Sequence, residues 1–358
     1  MMAEHAGDYE WHGEGEEAEI FLFVPDESMV DPGIERTLPA ARLPGAEGSV
    51  YAAISSEGFG WVAASSTHAA PDLTSVPRCG ILLAADANIG DLDVPPGGML
   101  PFLLRRLSEV SLPRLDGAGV RRLCEEGAMA AAEDALIEEE DLDRLGPESG
   151  DPDALGRRAI SAGTRDWEIR PGELNAKAVG EMFDAEAAEE LGLRPGTLAF
   201  VLDVGAGDLG RLAVAAHRER IAGRDFGREG VPAAPLETEE ALDLLAALRS
   251  AANFADGRAT LLVYALRRAL SGIAGRLTIP AAWRIGGIED SGGLAVHRNA
   301  LVVAGVEQVM YAGGNVAYGT GNMSRSAPPF GAPEDGGLWP WEEAGLLERV
   351  MRLDDPRG

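Results

Sequence analysis

Residues 197–220, TLAFVLDVGAGDLGRLAVAAHRER, carry the clearest local pattern in the chain. A β-branched and apolar run contains Asp203 near its end, and a turn follows with Gly205, Gly207 and Gly210. Leu212, Ala213, Ala216 and Ile221 then fall near helical spacing, so the stretch reads strand, tight turn, helix. Three readings compete at that turn. Glycines so placed let backbone amides approach a phosphate or nucleoside at a helix N-terminus. The string VLDVGAG also resembles a methyltransferase motif, and the same spacing serves a turn that only packs. A dinucleotide or S-adenosylmethionine site needs a second strand soon after the helix, with an acidic residue about 20 positions on for the ribose hydroxyls. Residues 218–235, RERIAGRDFGREGVPAAP, are charged, rich in Gly and Pro and without an apolar run, which argues against both.

The other residue types able to do chemistry are sparse. Cys79 and Cys124 cannot make a disulfide framework, and His5, His12, His68, His217 and His297 include no HxH or HxxxH pair. Cys79 precedes an apolar strand, where it is either a buried small residue or a metal thiolate. Asp203 is either a ligand or a cap on the helix that follows. His297 and Arg298 sit on an apolar-flanked strand; the histidine reads as structural, and the arginine is able to meet an anion.

The chain has 358 residues, with 59 acidic against 31 basic and a formal charge of −28. Lys177 is its one lysine. A field of that sign repels phosphate backbones at long range, so RNA binding is expected to be weak or absent unless arginines such as Arg165, Arg170, Arg284 and Arg298 converge locally. Residues 1–19 are acidic, without the pattern of a secretory signal, and read as a flexible tail before a single domain over 20–358. No run approaches the ~20 apolar residues of a membrane span, and a cytoplasmic protein is expected.

The elements that must position these residues come in a definite order. Residues 20–24 form a strand, several short strands follow between 49 and 84, and helices are predicted over 100–110 and 118–140. Residues 142–153 read as a polar loop and 184–191 as a short helix. Thr238 caps a helix with Leu242, Leu245 and Leu248 as its buried stripe. Asp256-Gly257 is expected to break it, with a new helix over 259–271. Strands return over 293–304 and 306–311, followed by a Gly-rich segment and then a loop over 328–333. Strands, helices, one strand-turn-helix, helices and strands make a mixed α/β (α+β) fold in which distant segments share a core.

In this order the pieces resemble the RtcB-type RNA-splicing ligase family, over about residues 58–333. GLRPGTLAFVLDVGAGDLG at 192–210 is similar to the family segment ending in HSGSRGLG. VGEMFD at 179–184 is similar to VDEIYD, AANFADGR at 251–258 to NFAxANR, and VHR at 296–298 to the start of VHRKGA. GFG at 58–60 and Cys79-Gly80 fall where the family has GYG and DINCG. The resemblance implies a core of β-sheet layers with surrounding helices. It also implies GTP and manganese as family cofactors: a Cys, an Asp and several His hold the metals, and a C-terminal His carries the guanylate.

Carried over residue by residue, the resemblance leaves little of that machinery. Cys79 matches the metal cysteine, but its aspartate partner falls on Val76. One metal His falls near Gly172, another on Asp203, and the phosphate-side Ser and Arg fall on Ala206 and Gly207, with Asp208 beside them. The family's HN pair falls on Trp283-Arg284, and the guanylate His on Phe330, neither of which replaces imidazole chemistry. The pocket candidates are therefore Gly205, Gly207, Trp283, Arg284, His297 and Arg298, with Cys79 and Asp203 as residual metal ligands. No catalytic residue and no cofactor is expected to remain. This points to a catalytically silent relative acting as a binding or regulatory subunit, with a protein partner. The alternative is an RNA ligase, or a nucleotide- or phosphate-processing enzyme, with a rebuilt active site.

Overall fold

A computed structural model describes residues 9–14, 19–24, 28, 30–54, 60–92, 98–134, 136–145, 149–166, 173–182, 185–190, 192–224, 231–291, 293–301, 309–310, 316–319, 322–326 and 347–354. The elements run β1 (Tyr9–Glu14), β2 (Glu19–Val24), α1 (Val30–Ala41), β3 (Ala46–Ile54), β4 (Gly60–Ser66), β5 (His68–Ala69) and β6 (Arg78–Asn88). A helical block follows: α2 (Met99–Ser108), α3 (Gly117–Glu126), α4 (Ala128–Glu133), α5 (Glu139–Leu145) and α6 (Gly156–Asp166). Then come β7 (Leu174–Met182), α7 (Ala185–Glu190), β8 (Thr197–Gly205), α8 (Gly207–Ala222), β9 (Ala234–Pro235) and α9 (Glu239–Ala269). The chain returns to strands with β10 (Leu277–Ile285), β11 (Ile288–Ser291), β12 (Leu294–Leu301), β13 (Val309–Met310), β14 (Val316–Gly319), β15 (Asn322–Ser326) and β16 (Leu347–Asp354). The fold is mixed α/β.

The larger sheet has the order β10-β6-β8-β7-β16-β15-β14-β13, so strands more than a hundred residues apart become neighbours. Its centre reads as continuous apolar runs because both faces are buried. Cys79, Ile81 and Leu83 of β6 lie opposite Val204, Leu202 and Phe200 of β8. All six join one apolar cluster with Phe254, Leu261 and Leu262 of α9, which identifies the face that meets the helices. A second sheet has the order β1-β2-β3-β4-β12-β11. There β2 and β3 run parallel, and the crossover this requires is α1, whose Val30 and Ala40 pack on Ile20 and Leu22.

Several sequence expectations change in the folded chain. Within the acidic N-terminal segment, Tyr9–Glu14 is an antiparallel partner of β2, with Trp11 opposite Leu22. The expected helix over 118–140 is three pieces, because Gly127 adopts φ +58 and ends α3. Asn253 Nδ2 donates to the Cys124 and Glu125 carbonyls at 3.1 and 3.2 Å, which satisfies the end that the break exposes. The expected polar loop over 142–153 contains the end of α5 and the start of a 3₁₀ turn, Pro152–Leu155.

The expected break at Asp256-Gly257 does not occur, and α9 is one helix of 31 residues, about 46 Å long. Tertiary packing overrides local propensity there. A Cβ at Gly257 would stand 2.7 Å from Leu123 Cδ2, so the glycine lets α3 approach α9. Thr238 is the N-cap as expected, accepting from Ala241 N. The buried stripe, however, is Ala241, Leu244, Leu245 and Leu248, while Leu242 is 52% exposed. A spacing of three drifts around a 3.6-residue helix, so Leu242 leaves the face that Leu245 and Leu248 share. Among the described residues no helix is long and apolar enough to cross a membrane.

Cys124 lies fully buried at the end of α3, and burial pushes its thiol up to about 12. Because this folded pKa is raised above the unfolded one, its contribution to stability is complete below the ordinary thiol value and is lost as pH rises toward about 12. We expect neither cysteine to react with an aromatic disulfide reagent at pH 8 in the native protein, and both to react in denaturant. Prompt labelling of native protein would contradict the burial. Phe254→Ala, which empties the junction of α9 with the sheet, should cost about 3–5 kcal/mol in urea unfolding.

Candidate functional site

Three adjacent strands deliver most of the candidates. Trp283 of β10 and Asp203 of β8 each pair with Gly80 of β6, and Arg284 and Val204 each pair with Cys79. The two rows are successive, so they belong to opposite faces of the sheet. Cys79 is 1% exposed within the core cluster on the helix side. Asp203 is on the other side, where Arg78 grips its carboxylate with both arms of the fork, Nε to Oδ1 at 2.9 Å and Nη2 to Oδ2 at 2.5 Å. The strands thus bring Cys79, Asp203 and Trp283 close across the sheet but do not turn Cys79 and Asp203 into one pocket. These two residues do not fit a shared manganese ion.

At the end of β8 the chain turns through Ala206 and Gly207, and Gly207 has φ +58, which explains the need for glycine. The first amides of α8 point where an anion would sit. That place is taken from within the chain: Asp166 Oδ2, at the end of α6, accepts from Asp208 N at 2.6 Å and Leu209 N at 3.2 Å. Asp166 is 4% exposed, and a Cβ at Gly207 would come within 2.8 Å of its carboxylate oxygen. Asp203, which the sequence offers as a ligand or a cap, is engaged with Arg78, and the residue at the helix start is Asp166.

Beneath the turn lies Arg258, the last residue of the AANFADGR string, 3% exposed. Its Nη1 donates to the Gly205 carbonyl at 2.5 Å, and the guanidinium pairs with Glu173 at 2.9 Å. The elements around the turn are therefore tied by charge: β6 to β8 through Arg78 and Asp203, α6 to α8 through Asp166, and α9 to β8 through Arg258.

His297, 2% exposed, lies on β12 in the other sheet, opposite Ala64 and Ile288. Its Nε2 accepts from Ala70 N at 2.9 Å, so that nitrogen carries no proton and its lone pair is engaged. Arg298 pairs in register with Ala63 of β4. Arg165 is exposed on α6. Arg170, Gly172, Phe330 and the loop over 328–333 lie outside the described residues. Among the described residues no three His, Cys, Asp or Glu side chains converge as a metal site.

Chemically, most of the donors and acceptors named at the turn are matched to one another. The helix amides hold a carboxylate, the Asp203 carboxylate holds a guanidinium, and the Cys79 thiol is buried among apolar residues. Four residues of this arrangement, Arg78, Asp166, Glu173 and Arg258, went unassigned from sequence. Arg258 lay within a quoted motif and Arg78 directly precedes Cys79, so both had a local signal. Asp166 and Glu173 had none, since their partners are 42 and 85 positions away.

No protein-family model matches the chain. It is similar to the tRNA-splicing ligase RtcB of Pyrococcus furiosus, 31% identical over 144 residues, which is 36% of this chain and 15% of that protein. The RtcB of Pyrococcus abyssi matches at the same identity over 144 residues, 16% of its length. The chain thus spans well under a fifth of these curated relatives.

Removing Asp166 should uncover the helix amides. We expect Asp166→Ala to lower stability by about 0.5–2 kcal/mol, and millimolar inorganic phosphate to raise its melting temperature more than that of the wild type. Equal response of both proteins would show that the amides are not what Asp166 shields. Arg258→Met removes the guanidinium that meets Glu173 and the Gly205 carbonyl and should cost about 3–5 kcal/mol.

Proposed function

We propose that this chain is an RtcB-related protein whose anion-binding turn is closed by its own side chains, and that it is a catalytically silent cytoplasmic protein serving as a binding or regulatory subunit for a protein partner. The observation that carries this reading is Asp166 Oδ2 on the Asp208 and Leu209 amides. A carboxylate already occupies the place where a nucleotide or RNA phosphate would be bound, and a second anion there meets like charge. Two further facts support it. Cys79 faces the apolar core while Asp203 faces the other side under Arg78, and the net charge of −28 opposes a polyanion.

The relatives are named as tRNA-splicing ligases, and a ligase must hold RNA phosphates through Arg, Lys or backbone amides. In this chain those amides are taken, so RNA affinity is set at the non-specific level, roughly 10⁻⁴ M or weaker at physiological salt. The rebuilt-enzyme alternative requires a nucleophile and a phosphate cradle elsewhere in the molecule.

Incubation of the purified protein with labelled GTP and manganese, followed by acid and gel analysis, is expected to leave no covalent guanylate, and an RNA with a 3′-phosphate is expected to remain unjoined. An acid-labile adduct, or micromolar RNA binding that weakens steeply with salt, would sink the silent reading and restore an RNA-directed enzyme.

A further inference from the structure

Away from the glycine turn, a cavity of about 450 Å³ opens between the C-terminal ends of α2 and α9, lined among others by Arg106, Glu109, Ser111, Tyr264 and Arg268. Arg268 lies ten residues beyond Arg258 on α9, about 15 Å along the helix axis. The cavity volume suits a small organic molecule. Its lining is unusual for this chain, which carries −28 overall: two guanidiniums and two hydroxyls face one carboxylate.

Basic residues in the last turn of a helix also complement the helix dipole, and Arg106 does so in part, with Nε donating to the Ala269 carbonyl at 3.1 Å. That bond uses one edge of the fork and holds the group at the cavity wall. The terminal nitrogens of Arg106 and the whole guanidinium of Arg268 have no hydrogen-bond or ion-pair partner among the described residues. The contrast is Arg267, one position away, whose fork is closed on both Asp141 oxygens and the Leu277 carbonyl. A dipole role explains basic character at either helix end but not the convergence of two open forks on one cavity with Tyr264 and Ser111.

From this we infer that the α2–α9 cavity binds a small phosphate monoester bearing hydroxyl groups, its phosphate on Arg106 and Arg268 and a hydroxyl on Glu109. Guanidinium forks match phosphate oxygens in charge and spacing. Glu109 repels a bare anion and accepts from a ligand hydroxyl, so it favours a monoester over inorganic phosphate. The net charge adds a size filter. Fields are screened over about 8 Å at physiological salt, so a small ligand experiences mainly the two arginines, whereas a nucleic acid extends across acidic surface. The inference stands on this cavity and does not rest on the reading of the glycine turn.

Isothermal titration of the full chain with ribose 5-phosphate, inorganic phosphate and ribose tests it. Ribose 5-phosphate is expected to bind saturably and more tightly than inorganic phosphate, with no binding of ribose. Arg268→Ala, at an exposed position that leaves folding intact, should weaken it about tenfold or more, the loss of one charged hydrogen-bonding group. Glu109→Gln should narrow the gap between ribose 5-phosphate and inorganic phosphate. Absence of saturable binding, equal affinity for inorganic phosphate, or affinity unchanged in Arg268→Ala overturns the proposal. Because the readout is binding of a small ligand, its failure leaves the guanylate and RNA experiments unaffected.

Discussion

The carboxylate of Asp166 against the first amides of α8 is the contact on which the centre of the molecule depends. A helix start packed against neighbouring elements has donors screened from water, and leaving them unmet is costly. In a nucleotide- or RNA-binding protein a ligand phosphate meets them, and the empty protein tolerates the cost because water enters. Here the last residue of α6 meets two of them, which lets α6 pack on α8. Gly207 follows from the same constraint, because both its positive φ and the closeness of the carboxylate exclude a side chain.

Once the turn is closed in this way, the neighbouring charges must be closed as well. Arg258 is almost fully buried, and it is tolerated because the Gly205 carbonyl and Glu173 meet it. Asp203 is held by a bidentate Arg78. These ties cross between elements distant in sequence and set the position of α9 against the sheet. Binding sites are usually places where polar groups converge without internal partners, and the matched charges at this turn are the opposite of that condition. The cavity between α2 and α9 is lined by two arginines, Arg106 and Arg268.

Much of the fold was legible in the sequence. Apolar runs marked β2, β6 and β8, Thr238 marked the start of α9, and the strand-turn-helix grammar of 197–220 was correct to within a few residues. The errors share a cause. Asp256-Gly257 looks like a breaker and Ala118 to Glu140 looks like one helix when only neighbours in sequence are weighed. The deciding contacts are Leu123 against Gly257, and Asn253 with the carbonyls at the end of α3, each bridging more than a hundred positions.

The sequence by itself determined the composition, the acidic field, the element types and the strand that carries Asp203 into a glycine turn, because these depend on local propensity and periodicity. It could also place Cys79, Asp203 and Trp283 in one neighbourhood through their resemblance to a family order. Which way each side chain faces was decided only in the tertiary structure. Side chains alternate across a sheet, so a shift of one residue in pairing moves a group from one face to the other, and that register arises between strands far apart in the chain. The same holds for the ion pairs: an aspartate before a tryptophan and an arginine after a glycine carry no sign of their partners until the packing of α6, α8 and α9 brings them together.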